Sequence, residues 1–184
     1  MRIIIMAGGR GSRMGFVEKP LIEVCGRRML DAALSAASAL GEPLICVSSS
    51  TAAARLYCGD NDCVVGSGSY VSDLNEALEA AGLPALVIPA DMPFLDRGLH
   101  EVARFVGLAL GSRARVATLN TCRRGRCSAT GISLFKSREG DWEDIYMLWR
   151  SALMDVDYPE DLEEAASLCA TMEEGGTGWT SAST

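Results

Sequence analysis

The residues able to do chemistry concentrate in two stretches. Ala7-Gly8-Gly9-Arg10-Gly11-Ser12-Arg13-Met14-Gly15 follows an apolar run and leads into Glu18-Lys19-Pro20-Leu21. Glycines at a strand end let backbone N–H groups approach phosphate oxygens with no Cβ in the way, and Arg10, Arg13 and Lys19 add the cations a triphosphate needs. The segment lacks the Gly-Lys-Ser/Thr of a Walker A loop and the Gly-x-Gly-x-x-Gly of a dinucleotide fold. A tight turn with solvated arginines is the plain alternative, and three cations within ten residues of an acidic chain weigh against it. The second stretch is Val87-Ile88-Pro89-Ala90-Asp91-Met92-Pro93-Phe94-Leu95, an apolar run ending in a carboxylate set between two prolines. A carboxylate at the carboxyl end of a strand in an open α/β sheet sits where ligands bind, and one carboxylate plus substrate phosphates is the usual way to hold Mg2+. Helix capping, the alternative role for Asp91, falls to Asp96.

Both stretches need a strand to deliver them, and the chain supplies short continuous apolar runs of the kind buried parallel strands require. Strands are predicted at Arg2 to Met6, Leu44 to Val47, Cys63 to Val65, Ala85 to Ile88, Arg115 to Leu119 and Ile132 to Phe135, with a last one at Ala152 to Val156. Helical periods alternate with them: Met29 to Leu40 ending at Gly41 as a C′ residue, Tyr70 to Ala81, a helix capped by Asp96 whose Leu99, Val102, Val106 and Leu110 face one way, and one beginning at Pro159. Tyr158 is a poor cap for that last helix, so Asp161 at N3 or water must satisfy its first amides. The alternation predicts an α/β fold, a Rossmann-like three-layer sandwich with a mostly parallel, mixed sheet and helices on both faces.

With 184 residues, 48% apolar and 22% charged, one domain is expected, spanning residues 1–170, with an aperiodic flexible tail over 171–184. Lys+Arg number 17 against Asp+Glu 24, a net charge of -7 that repels a nucleic-acid backbone. Any phosphate ligand must therefore be held locally. No apolar run reaches the 18 or so residues of a membrane span, and the first run breaks into glycine too early for a signal segment, so a cytoplasmic protein is expected. The single histidine, His100, falls beside its helix's apolar stripe and reads as a surface residue.

Seven cysteines with no secretory signal are expected to be reduced thiols. Cys58/Cys63 and Cys122/Cys127 share a four-residue gap, which leaves a four-thiolate zinc site as a minor alternative and intracellular disulfides as another if the source is a hyperthermophile. Cys122-Arg123-Arg124-Gly125-Arg126-Cys127 reads either as a contact for an anionic acceptor or as a solvated loop, the loop being preferred.

Taken together, Gly8-Gly9-x-Gly11-Ser12-Arg13-Met14 with Glu18-Lys19-Pro20-Leu21, the Asp91-Met92-Pro93-Phe94-Leu95 element and Asp157-x-Pro159-Glu160-Asp161-Leu162 resemble the MobA-like nucleotidyltransferases. Within that family, the stretches from Val17 to Arg27, Ser69 to Glu76 and Ala129 to Ile132 are similar to the archaeal-type guanylyltransferases that act on adenosylcobinamide phosphate. The resemblance implies GTP as donor, attack by the acceptor's phosphate on the α-phosphorus, and release of pyrophosphate, with Mg2+ as the expected cofactor. It implies that Gly8, Gly9, Gly11, Arg13 and Lys19 cradle the triphosphate, that Asp73 and Asn75 lie near the nucleoside, that Asp91 holds the metal, and that Gly131 lines the loop beside the transferred phosphate. Arg13, Lys19 and Asp91 are then the expected catalytic residues. The resemblance is compatible with a homodimer. A molybdenum-cofactor guanylyl- or cytidylyltransferase is the rival enzyme, and a nucleotide-binding regulatory module without turnover is the rival of another class.

Overall fold

The computed structural model of the chain describes residues 1–8, 18–49 and 51–174. Nine strands and five α-helices run in the order β1 (Arg2–Met6), β2 (Glu23–Val24), β3 (Arg27–Arg28), α1 (Met29–Leu40), β4 (Glu42–Ser48), α2 (Ala52–Tyr57), β5 (Cys63–Gly66), α3 (Tyr70–Ala81), β6 (Ala85–Pro89), α4 (Leu99–Gly111), β7 (Val116–Arg123), β8 (Arg126–Phe135), β9 (Trp142–Leu148) and α5 (Pro159–Glu174) among the described residues. Seven strands form one mixed sheet in the order β5-β4-β1-β6-β8-β7-β9, and β2 and β3 make a separate hairpin. The first four, β5, β4, β1 and β6, are parallel, whereas β8 runs antiparallel to both β6 and β7, and β9 is parallel to β7.

The continuous apolar runs are explained by burial on both faces. Ile3 and Ile5 pack with Leu30 and Ala33 of α1 and Val102 and Phe105 of α4, while Ile4 between them packs with Ala77 and Leu78 of α3 on the opposite face. A strand covered twice needs no polar alternation. A third cluster closes the carboxyl edge: Val24 of the β2–β3 hairpin, Met29, Phe94, Met154, Val156 and Ala165 of α5. No helix of the described residues is long and apolar enough to cross a membrane.

Several expectations are corrected. Ala152 to Val156 is not a strand: Ser151–Leu153 forms a 3-10 turn, and Met154 and Val156 bury into the third cluster. The strand beside β7 is instead β9, which no predicted element covers because only Ile145 and Met147 face the core while Trp142, Tyr146 and Leu148 are exposed. Asp96 does not cap α4. A 3-10 turn over Leu95–Arg97 intervenes, Gly98 becomes the N-cap, and Asp96 accepts from Arg27 Nη1 at 2.5 Å. Gly41 does end α1, its N–H donating to Ala37 O at 2.9 Å, but with φ 169 it is extended rather than left-handed. Its glycine identity is set instead by the Met1 carbonyl, which a Cβ would strike. Asp161 Oδ2 accepts from the backbone N–H groups of Asp157 at 2.8 Å and Tyr158 at 2.7 Å, the first of the two solutions expected at α5. His100 is exposed on α4, and α5 continues to Glu174, past the expected boundary at 170.

The thiols differ most from expectation. Cys25 pairs with Cys169, Cys58 with Cys63 and Cys122 with Cys127, leaving Cys46 buried and free. A zinc site built from the two close pairs is impossible because β5 and β7 lie at opposite ends of the sheet order. Burial raises the Cys46 thiol to about 11, with the charges of Asp73 and Glu76 adding to the effect, so it is an inert core residue. Cys25–Cys169 staples the β2–β3 turn to α5 across a separation of 144 residues, whereas Cys58–Cys63 closes a separation of 5. In the chain-entropy description the first is worth about 5 kcal/mol and the second about 2 kcal/mol. Denaturant melts should therefore show Cys25→Ser losing clearly more stability than Cys58→Ser, and equal losses would refute the long staple.

Candidate active site

The site lies at the carboxyl edge of the parallel strands, where three segments distant in sequence converge. The first is the 3-10 turn Lys19–Leu21, started by Pro20 in a buried position. Its predecessor Glu18 reaches across to α2, accepting from the N–H groups of Ala52 at 2.7 Å and Ala53 at 3.1 Å. A six-residue helix is too short to hold itself, and this remote carboxylate satisfies its first amides. The second segment is the end of β6, where the Ala90 N–H donates to Met6 O at 3.1 Å and leaves Asp91 just past the sheet. The third is the loop before α5, tied in by the Val156 N–H donating to Asp91 O at 3.0 Å.

Lys19 is where they meet. Its ammonium donates to Asp157 Oδ1 at 2.5 Å and stands 3.9 Å from Asp91 Oδ2, with only 14% of the side chain exposed. Burial raises the Asp91 carboxyl from 3.8 to about 6, with Lys19 opposing the shift and Asp155 and Asp157 adding to it. Asp155 is raised as well, by desolvation first and then by Asp157 and Asp161. Asp91 and Asp157 thus share one cation, and Asp155 adds a third negative charge nearby.

Among the described residues no group of three or more His, Cys, Asp or Glu side chains is gathered as a metal cage. The donors are nonetheless the hard oxygens Mg2+ prefers, and that ion is ordinarily held by one or two carboxylates completed by substrate phosphates. Asp91 and Asp157 fit that description.

Asp73 is buried and fully engaged. Its Oδ1 accepts from Ser67 N–H at 2.8 Å and its Oδ2 from Gly68 N–H at 3.0 Å, and a Cβ on Gly66 would collide with the carboxyl group. It therefore shapes the 66–68 loop beside Gly8, where an added Cβ would lie 3.0 Å from Ser48 Oγ and 3.8 Å from Asp73 Oδ2. Asn75 is exposed on α3. Gly131 lies not in a loop but within β8, at the register shift opposite Thr118 to Asn120; it has φ 79, and a Cβ there would approach Pro89 Cγ at 3.4 Å, which puts this irregular part of β8 against the strand end that delivers Asp91. Gly9, Gly11 and Arg13, with the rest of the glycine-rich loop, lie outside the described residues.

Asp157 belongs to a sequence motif that gives it no role by itself, and no local pattern marks Asp155, Glu18 or Tyr70 as part of the site. Tyr70 is exposed at the first turn of α3, and its hydroxyl is raised by burial of the phenol end, then by Cys46 and Asp91, whose charge reaches it.

A parallel core with an antiparallel extension, and a lysine and carboxylates gathered at its carboxyl edge, define an α/β nucleotidyltransferase. The chain belongs to the MobA-like NTP transferase domain family, whose model matches residues 3–154. It is 36% identical over 102 residues to an adenosylcobinamide-phosphate guanylyltransferase from Methanocaldococcus jannaschii, an alignment covering 50% of this chain and 52% of that protein, so the match spans about half of the relative's length. In fold it is similar to molybdopterin-guanine dinucleotide biosynthesis protein A from Archaeoglobus fulgidus, at TM-score 0.69 and 15% identity over 94% of this chain and 100% of the other. It is also similar to a 4-diphosphocytidyl-2C-methyl-D-erythritol synthase from Anaerococcus prevotii, at TM-score 0.65 and 14% identity over 92% and 97% of the two chains.

The Asp91 shift carries a sign. Because the folded protein holds this proton up to about 6 and the unfolded chain only to about 3.8, the stabilisation it gives is present below 3.8 and lost as pH rises through 6. Asp91→Asn removes a crowded charge, so its melting temperature should exceed that of the parent at pH 7, with the gain shrinking toward pH 4.

Proposed function

We propose that this enzyme transfers GMP from GTP to adenosylcobinamide phosphate with release of pyrophosphate. The observation that carries the reading is the 36% identity over 102 residues to a protein of that name, and the likeness of the stretches from Val17 to Arg27 and Ser69 to Glu76 supports the same reading. The site chemistry agrees with it. Nucleotidyl transfer to a phosphate acceptor needs positioning and charge neutralisation more than covalent help, and the acceptor oxygen is already ionised, so no general base is required. A site of one lysine and several carboxylates, with its only histidine exposed on α4, is adequate for that work.

Gly8 at the end of β1, with Gly9, Gly11 and Arg13 after it, would cradle the triphosphate, and Lys19 would trade Asp157 for a phosphate oxygen. That exchange removes the cation shared by Asp157 and Asp91. Asp91 and Asp157 would then hold Mg2+, which would supply charge neutralisation at the phosphates. The 66–68 loop that Asp73 braces, with Asn75 beyond it, would face the nucleoside, and Gly131 the transferred phosphate. Guanine brings N1–H and N2–H2 donors, and their acceptors would be left unpaired by adenine at about 1–3 kcal/mol each.

Pyrophosphate release should require both GTP and adenosylcobinamide phosphate, with ATP at least tenfold poorer as donor. In single turnover, Asp91→Asn should lose on the order of 10²-fold in rate while GTP still shifts its melting temperature. Absence of pyrophosphate release with that pair, or a stable and fully active Asp91→Asn variant, would refute the reading.

A further inference from the structure

The β7–β8 hairpin carries chemistry that the donor half of the reaction does not use. Its strands pair as far as Arg123 opposite Arg126, leaving Arg124-Gly125 as a two-residue turn with φ 52 and 79. Such turns favour Asn-Gly, because in the left-handed region an arginine Cβ crowds the following carbonyl oxygen. Arg123 and Arg126 also face each other directly across the ladder, a like-charge pair that disfavours folding. A loop that merely connects two strands requires neither feature. Positions 123–129 are all exposed, so burial does not explain the residue types either.

The hairpin is nonetheless held stiffly. Cys122–Cys127 bridges its root, and Arg123 lies 4.0 Å over the Trp149 ring while donating to Glu164 of α5 at 2.9 Å. Arg123 is thereby committed to structure. Arg124 and Arg126 have no carboxylate within ion-pair distance among the described residues, in a chain whose net charge is -7.

Its direction follows from the register. β8 runs antiparallel to β6 and β7 antiparallel to β8, so β7 ends at the same edge of the sheet as β6 and Asp91. Gly131 lies level with Pro89. Arg126 is five residues further out, so the tip overhangs that edge by about 15 Å at roughly 3.3 Å per residue. Gly8 and Lys19 stand on the β1 side of Asp91, and the hairpin stands on the other. In-line displacement puts the incoming phosphate opposite the departing pyrophosphate, so the acceptor's body must extend away from the Gly8 and Lys19 side, toward β8 and β7.

We infer that Arg124 and Arg126 form an acceptor-binding arm that grips the far side of a large phosphomonoester through hydrogen-bond-accepting groups such as amide carbonyls, which guanidinium N–H donors match. This rests on the proposed transfer to adenosylcobinamide phosphate, whose body carries such amides at a distance from its reacting phosphate.

The test is steady-state kinetics of the full chain with GTP and adenosylcobinamide phosphate, comparing wild type with Arg124→Asn/Arg126→Ala. Asparagine suits the left-handed turn position, so the variant should keep or raise its melting temperature. The KM for the acceptor should rise tenfold or more while the KM for GTP changes less than twofold. An unchanged acceptor KM, or equal rises for acceptor and GTP, would overturn the arm and leave the proposed reaction standing. A wild-type enzyme inactive with this acceptor would overturn the reaction and the arm with it.

Discussion

The arrangement of the whole carboxyl edge depends on one charge. Lys19 is the cation that Asp91 and Asp157 share, and it stands on a turn separated from Asp157 by 138 residues. Removing its side chain would leave Asp91, Asp155 and Asp157 crowded without compensation, which is why the chain must bring its beginning, middle and end to one place. Each segment is fixed by a backbone device close to the ion pair. Pro20 starts the Lys19 turn, the Ala90 N–H anchors the end of β6 to β1, and the Val156 N–H locks the last loop onto Asp91. Cys25–Cys169 then fastens the segment after Lys19 to the helix after Asp157, so the covalent staple and the ion pair constrain the same two parts of the chain.

The sheet divides the labour. Its parallel half, packed against helices on both faces, delivers Gly8, the 66–68 turn and Asp91 at its carboxyl edge. Its antiparallel half is different in kind: β8 has ten residues, its first half is exposed, and it projects past the sheet edge together with β7. A parallel strand must hand the chain to a crossover helix, whereas a hairpin can extend beyond the sheet and return. Reach toward a large second substrate is therefore available only on this side of Asp91.

Legibility in the sequence followed the same division. Continuous apolar runs identified β1, β4 and β6, since a doubly buried strand leaves a pattern that does not depend on its neighbours, and a short apolar run marked the edge strand β5 as well. β9 and α2 left no such mark. β9 is an edge strand whose Trp142, Tyr146 and Leu148 face outward, and α2 is a single short helix whose first amides are satisfied by Glu18 from a distant loop. Among the site residues, Lys19, Asp91 and Gly131 could be placed from local composition or family likeness. Asp157 stands in a recognisable motif, but its contact with Lys19 spans 138 residues and no local pattern marks it. The disulfides were illegible for a related reason: Cys25 and Cys169 are brought together by the packing of α5 on the β2–β3 hairpin, and no spacing encodes that.

The acidic residues show most clearly what a composition leaves undivided. Glu18, Asp73 and Asp161 each spend their oxygens on backbone N–H groups, starting α2, bracing the 66–68 loop and closing the first turn of α5. A carboxylate so occupied has little capacity left for a ligand. Asp91, Asp155 and Asp157 make the opposite choice and gather near a single ammonium; desolvation raises the first two, the crowding of neighbouring carboxylates adds to it, and Lys19 opposes it. That crowding destabilises the ligand-free protein at neutral pH, and it is relieved by added positive charge. All six residues look alike in a net charge of -7. Their partners separate three that build the loops around the site from three that gather near Lys19.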